Sequence, residues 1–146
     1  LEGFKVNILT YDKYLKSYKY SSTMQDIFEK ADILSLHIPL TEETHYLIDN
    51  TYINKFKNPI YIINTARGKC IKTSDLIKNL KSGKVRGACL DVLENENTSF
   101  EKLETKTHFN YLTQNKNIIL SPHIAGWTKE SKRKIAEILL EKIKNN

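Results

Sequence analysis

The apolar positions along this chain follow two patterns, one typical of strands and one typical of helices, and segments of the two kinds alternate. Short runs of consecutive apolar and β-branched residues predict strands, at residues 5–11, 33–38, 60–63, 85–91 and 117–120. Apolar residues spaced three or four apart predict helices, at residues 23–30, 49–57, 73–82 and 128–144. Strands that alternate with helices indicate parallel pairing with right-handed crossovers, so the pattern predicts a single α/β unit.

Several residues mark where these elements begin and end. Ser22 or Thr23 can cap the first helix, and Thr73 can cap the third. Gly83 follows the third helix at the position that favours a left-handed residue. Residues 92–116 are long and polar, and we expect them to form a loop.

Composition narrows the class of protein. The chain has 146 residues, of which 40% are hydrophobic, enough for one globular domain with a core. No apolar run approaches the roughly 20 residues that cross a bilayer, so no membrane partner is expected. Cys70 and Cys89 form no metal-spaced pair, which favours reduced buried thiols, no metal site and a cytoplasmic setting. The net charge of +6 comes from scattered lysines, and this disfavours a nucleic-acid partner.

Three polar residues follow predicted strands or lie in the loops beyond them. These are Arg67, Glu96 and His123. Alone, Arg67 could be a surface residue in a turn and His123 a structural histidine. Because the carboxyl ends of parallel strands share one edge, the three can converge there on an anionic substrate, with the histidine as proton donor or acceptor.

Asp12 lies just after the predicted strand over residues 5–11 and has two interpretations. Its carboxylate can cap a turn or helix. It can equally accept hydrogen bonds from a ribose diol, as an acid after the second strand of a dinucleotide fold does.

Five segments, in order, resemble those of the NAD-dependent D-isomer-specific 2-hydroxyacid dehydrogenases. The segments are YD at 11–12, ADILSLHIPLTEET at 31–44, INTARG at 63–68, LKSGKVRGACLDV at 80–92 and SPHIAG at 121–126. Each one alone is a weak signal. Together they cover nearly the whole chain and are specific.

The resemblance implies a role for each matching residue. Arg67 would bind the substrate carboxylate, His123 would be the acid/base, and Glu96 would pair with His123. Asp12 would bind the adenosine ribose of NAD, and Asp91 the nicotinamide carboxamide. The other positions expected at the cofactor are Ile38, Pro39, Thr44, Thr65, Ala66 and Gly126, and Arg67 and His123 also border it.

The chain departs from the family pattern in two respects. Asn97 follows Glu96 where the family often has proline, and Glu94 competes with Glu96 for the role of partner to His123; spacing favours Glu96. No G-x-G-x-x-G occurs in the chain. We therefore expect a doubly wound parallel sheet of Rossmann type without its first strand and glycine-rich loop. Residues 1–146 would be a partial NAD-binding domain, with the substrate domain outside this chain and a slot at the absent central strand.

The function that these features predict is that of part of an oxidoreductase. The parent enzyme, expected to be a homodimer, would transfer hydride between NAD(H) and a D-2-hydroxy acid or 2-keto acid. Trp127 after HIAG favours the phosphoglycerate dehydrogenase-like branch, with 3-phosphoglycerate as one candidate substrate. A formate dehydrogenase-like branch is disfavoured, since it would carry glutamine as the histidine's partner. The alternative is a non-catalytic nucleotide-binding or dimerisation module. By itself, the chain is expected to be inactive.

Overall fold

The centre of the molecule is a four-stranded sheet in which every pair of neighbours is parallel. A computed structural model describes residues 1–15, 17–94 and 106–145. The strands lie in the order β1-β2-β3-β4, and their bounds are β1 Ile33–Leu36, β2 Ile60–Asn64, β3 Val85–Leu90 and β4 Ile118–Leu120. This arrangement confirms the predicted parallel α/β class.

The bounds of the helices are α1 Met24–Lys30, α2 Asn50–Asn54, α3 Thr73–Lys81, α4 Lys106–Gln114 and α5 Lys129–Lys144. Three of the helices, α2, α3 and α4, lie in the connections between strands, whereas α1 precedes β1 and α5 follows β4. Thr23 caps α1 in a reciprocal capping box with Asp26, which confirms one of the two predicted caps. Gly83 follows α3 with φ +77°, the left-handed conformation that its position predicts.

One face of the sheet carries the core. Three residues in register on neighbouring strands are buried on this face: Leu36, Asn64 and Leu90. Two residues earlier on β2 and β3, Ile62 and Ala88 are buried on the same face. The helices complete the cluster, through Ile27 of α1, Ile53 of α2, Leu76 and Ile77 of α3 and Leu112 of α4. This packing is what fixes the carboxyl ends of the strands relative to one another.

The opposite face of the sheet stays open in the part of the chain that the structure describes. Ile33, Tyr61 and Ile119 point to it and remain 57%, 47% and 66% exposed. Parallel sheets are normally covered on both faces. The open face is therefore where a doubly wound sheet would carry its second layer of helices.

Three local predictions were wrong. Residues 5–11 do not form a strand, and only a single bridge joins Thr10 to Ser21, because no neighbouring strand of the described residues offers a ladder. Residues 106–114 form α4 within the stretch predicted to be a loop, since Phe109 and Leu112 bury a helical stripe against α3. The N-cap of α3 is Lys72, and Thr73 is the first helical residue.

Two backbone segments meet closely at the carboxyl edge of the sheet. Gly68 begins a short 3-10 turn, Gly68–Cys70, that connects β2 towards α3. A Cβ atom on Gly68 would lie 1.8 Å from the carbonyl oxygen of Leu93, far inside van der Waals contact. Only glycine allows the turn after β2 to pass this close to the chain leaving β3.

We predict that Gly68→Ala destabilises the chain, because a backbone oxygen cannot swing aside as a side chain can. The loss expected for such overpacking is about 1–3 kcal/mol, or roughly 2–4 °C in Tm per kcal/mol for a domain of this size. Gly126→Ala is the matched control, since a Cβ there meets nothing within 4 Å. Thermal and urea unfolding of both variants measure the difference, and equal stability of the two would contradict the close approach.

Candidate functional site

The site is built where the four strands end, and a buried asparagine shapes the turn after β2. Asn64 is 1% exposed. Its Oδ1 accepts a hydrogen bond from the Ala66 N–H at 3.0 Å, and its Nδ2 donates to the Arg67 carbonyl at 3.1 Å. The side chain thus replaces a backbone turn in an Asx-type arrangement. Asparagine directly after an apolar run is itself a turn signal in a sequence.

This turn carries Arg67 at the edge of the sheet. Its side chain is exposed, and Nη1 donates to the Ala66 carbonyl at 2.7 Å. Thr65 beside it is exposed, whereas Ala66 is buried in the core. The guanidinium has five N–H donors in a planar fork, so the remaining ones can receive a carboxylate.

Asp91, just past β3, holds the turn after β4. Its carboxylate is only 4% exposed. Oδ1 accepts from the Ser121 hydroxyl at 2.5 Å and from the Ile124 N–H at 2.9 Å, and Oδ2 accepts from the Ala125 N–H at 2.9 Å. Burial alone would raise the pKa of this carboxyl, but these hydrogen bonds outweigh it and the pKa of Asp91 lies below its usual value.

His123 lies inside the turn that Asp91 closes. Its backbone has φ +55°, a left-handed conformation that costs a non-glycine residue roughly 1 kcal/mol or more. The His123 N–H donates to the Asp91 carbonyl at 2.9 Å, and the side chain is exposed. Asp91 therefore bonds this turn through both its backbone and its side chain, and the histidine is presented at the same edge as Arg67.

Of the two candidate acids after β3, the structure describes only Glu94. Glu96 lies outside the described residues, so its pairing with His123 stays a prediction. Glu94 is partly buried, and its Oε1 accepts from the Tyr46 hydroxyl at 2.5 Å while Oε2 accepts from the Thr73 N–H at 2.8 Å. Burial would raise the pKa of Glu94, yet these two hydrogen bonds and the charge of His108 bring it below its usual value.

The turn after β1 is closed by a threonine. The Thr44 hydroxyl donates to the Pro39 carbonyl at 2.6 Å and accepts from the Thr41 N–H at 2.7 Å. Pro39 is exposed and Ile38 half-buried. These three predicted cofactor residues thus share one compact turn at the carboxyl edge, and Thr44 has a structural task within it.

Asp12 adopts the first of its two predicted interpretations. Its Oδ1 accepts from the N–H groups of Tyr14 and Leu15, at 2.8 and 3.2 Å, and so caps the turn. No described residue donates to Oδ2. The turn therefore orients the carboxylate through Oδ1.

Within residues 1–15, 17–94 and 106–145, no group of three or more His, Cys, Asp or Glu side chains could hold a metal ion. No helix in that part of the chain is both long and apolar enough to cross a membrane.

The sequence matches a family model along most of its length. Residues 1–125 match the model of the D-isomer specific 2-hydroxyacid dehydrogenase, NAD binding domain. The chain therefore belongs to this family, which confirms the resemblance inferred from its motifs.

Individual relatives agree with the family. The chain is 38% identical to a glyoxylate reductase of Thermofilum pendens, over 94% of this chain and 40% of the relative. It is 33% identical to a D-specific alpha-keto acid dehydrogenase of Enterococcus faecium, over 94% of this chain and 44% of that protein. The chain thus spans less than half the length of these curated relatives.

Solved structures show the same fold. D-2-hydroxyisocaproate dehydrogenase superposes with a TM-score of 0.84 at 29% identity, over 96% of this chain and 45% of that one. D-lactate dehydrogenase from Aquifex aeolicus, complexed with NAD and lactic acid, superposes with a TM-score of 0.81 at 31% identity, over 98% and 46% of the two chains. The family's cofactor is NAD.

The described residues fit part of an NAD site. Asp12 offers an oriented carboxylate oxygen suited to the ribose, and Gly126 leaves open space where any other side chain would stand. Asp91 is less suited as it stands, because both of its oxygens are already bonded beneath the residue 121–125 turn. Its contact with the nicotinamide carboxamide stays a prediction.

We predict that Asp91→Asn destabilises the chain by about 1–3 kcal/mol near neutral pH, because an amide supplies one acceptor where the carboxylate supplies two. The folded-state pKa lies below the unfolded value, so the stabilisation is present above about pH 4 and is lost as the pH falls through the folded pKa. The difference between wild type and variant should therefore shrink in acid.

Urea unfolding at pH 7 and at about pH 3 measures this difference. Asp32→Asn is the matched control, since Asp32 is exposed and has no side-chain hydrogen bond among the described residues. A variant as stable as wild type at pH 7 would contradict the role given to the Asp91 carboxylate.

Proposed function

We propose that this chain is part of the NAD-binding domain of an enzyme that transfers hydride between NAD(H) and a D-2-hydroxy acid or its 2-keto acid. The observation that carries the proposal is the edge formed by the ends of β2, β3 and β4. There Asn64 presents Arg67, and Asp91 holds the turn that presents His123. An arginine and a histidine at the same edge of the sheet suit a substrate that has a carboxylate next to a carbonyl.

Each residue has a separate task in this proposal. When bound, NADH supplies the hydride that reaches the keto carbon. The Arg67 guanidinium binds the substrate carboxylate and orients the carbonyl. The His123 imidazole donates a proton to the carbonyl oxygen during reduction and takes it back during oxidation, and Glu96 stabilises the imidazolium form.

Cofactor choice follows from Asp12. A carboxylate that accepts from the ribose hydroxyls repels the 2′-phosphate of NADP, so the enzyme is expected to prefer NAD. Six further residues border the same edge and would complete the cofactor's contacts on this chain. They are Ile38, Pro39, Thr44, Thr65, Ala66 and Gly126.

The substrate class is a small 2-keto acid. The relatives named above act, by their names, on glyoxylate, alpha-keto acids, lactate and D-2-hydroxyisocaproate, which supports a 2-keto acid or the matching 2-hydroxy acid. A phosphoglycerate dehydrogenase-like activity, indicated in part by Trp127, stays a prediction, as do the homodimer and the cytoplasmic setting. The remaining length of the relatives would supply the residues that sense the substrate's side chain.

We predict that His123→Ala in the complete enzyme lowers kcat for keto-acid reduction by roughly 10²–10⁴-fold, the usual contribution of general acid catalysis. NADH affinity should change little, because the deleted ring acts on the substrate oxygen. Steady-state kinetics on a panel of 2-keto acids, with NADH titration by fluorescence, measure both quantities.

Two results would overturn the proposal. A complete enzyme that reduces no member of the panel would favour a non-catalytic nucleotide-binding or dimerisation module. A His123→Ala variant with undiminished kcat would remove the histidine from the chemistry. In this proposal the residues that exclude water from the site are not all on this chain, so the 146-residue chain alone should show no turnover in the same assay.

A further inference from the structure

Glu94 has no task in the proposed reaction, although it is partly buried in the chain leaving β3. Its two oxygens bond residues from distant parts of the chain, the Tyr46 hydroxyl and the Thr73 N–H. Forty-eight residues separate Glu94 from Tyr46 and 21 separate it from Thr73. The carboxylate therefore joins the turn after β1, the start of α3 and the chain leaving β3.

The contact with Thr73 replaces a missing cap. The N-cap of α3 is Lys72, whose side chain makes no capping hydrogen bond. The first N–H groups of a helix have no partner within the helix. Glu94 accepts the first of them, and its negative charge lies at the positive end of the helix dipole.

The contact with Tyr46 is made from a strained backbone. Tyr46 has φ +54°, the left-handed region that favours glycine. The residue is held there by its N–H bond to the Lys69 carbonyl at 2.8 Å, by the His45 ring with its centroid 4.0 Å away, and by Glu94. Strain of this kind persists only where the surroundings fix it.

The segment that holds Tyr46 also runs beside the turn that carries Arg67. The Ile48 N–H donates to the Cys70 carbonyl at 3.0 Å, and the Lys72 N–H donates to the Ile48 carbonyl at 3.1 Å. The close approach of Gly68 to Leu93 brings the chain just before Glu94 to the same place. Any shift of Glu94 is thereby transmitted to the backbone on both sides of the site.

We propose that Glu94 is a positioning residue for the reaction and forms, with Tyr46 and Thr73, a clasp. The Glu94 clasp fixes the point from which the chain proceeds to Glu96, two residues further on, and it steadies the turn that follows Arg67. The Glu94 oxygens are directed at Tyr46 and Thr73, so this inference leaves the role of carboxylate partner of His123 to Glu96. The roles of Glu96 and Arg67 in this inference rest on the proposed function; the clasp itself does not.

The first experiment tests the clasp without any assay of activity. The Thr73 amide has no acceptor within α3, so its hydrogen exchange reports the bond to Glu94 directly. In the 146-residue chain, Glu94→Ala should accelerate exchange at Thr73 by roughly tenfold or more, whereas Ile62 in the sheet should stay protected. Glu42→Ala removes an exposed acid and should change neither rate.

The second experiment tests positioning in the complete enzyme. Glu94→Ala should lower kcat by roughly 10–100-fold, the scale of a misplacement of about 1 Å. Glu94→Gln should recover most of it, because the amide oxygen accepts from Thr73 and the amide N–H₂ donates to the Tyr46 hydroxyl. Tyr46→Phe keeps the ring, removes one bond and should fall between the two. In every variant the pH dependence of kcat should keep the wild-type midpoints.

The outcomes separate the alternatives. Unchanged exchange at Thr73 in Glu94→Ala would refute the clasp. Changed exchange with undiminished kcat would refute the positioning role. A Glu94→Gln variant as impaired as Glu94→Ala, with a shifted pH profile, would make Glu94 the partner of His123 and overturn the inference. A complete wild-type enzyme without activity would instead refute the proposed function, and the exchange data alone would then decide the clasp.

Discussion

The site depends on one buried carboxylate. Asp91 has three hydrogen-bond donors on its two oxygens, and all three belong to the turn after β4. A charge that is 4% exposed is tolerable only when its hydrogen bonds replace the water it has lost. The requirement works in both directions, since the turn needs Asp91 to satisfy its N–H groups and to hold His123 in a left-handed conformation. The pairing of β3 with β4 therefore determines where His123 lies, because Asp91 follows β3 and His123 follows β4.

A polar side chain closes three other turns in the same way. Asn64 closes the turn after β2, Thr44 closes the turn after β1, and Asp12 caps the turn after residue 11. Strand ends leave backbone donors and acceptors without ladder partners, and a short polar side chain can satisfy them locally. Several residues that the family resemblance implies are cofactor ligands thus have a structural task as well. The two tasks are compatible at Asp12, whose Oδ2 has no donor among the described residues, and compete at Asp91, where three donors share the two oxygens.

Sequence reasoning succeeded where one local pattern decides the structure. The apolar runs of β2, β3 and β4 are strands in the structure, and Thr23 and Gly83 mark helix ends as predicted. It failed at residues 5–11, because an extended apolar segment becomes a strand only beside a partner. It also missed α4, whose stripe of Phe109 and Leu112 is short and lies within a polar stretch. The bonds between Tyr46, Thr73 and Glu94 could not be predicted, since they join residues that no local period relates.

The central claim is that Arg67 and His123 act together on a 2-keto acid at the carboxyl edge of the sheet. The most direct measurement is a crystal structure of the complete enzyme with NADH and oxamate, which mimics a small 2-keto acid but cannot be reduced. The account predicts that the oxamate carboxylate pairs with the Arg67 guanidinium and that the His123 imidazole bonds the neighbouring carbonyl oxygen. Oxamate bound away from this edge, or held there without Arg67 and His123, would contradict it.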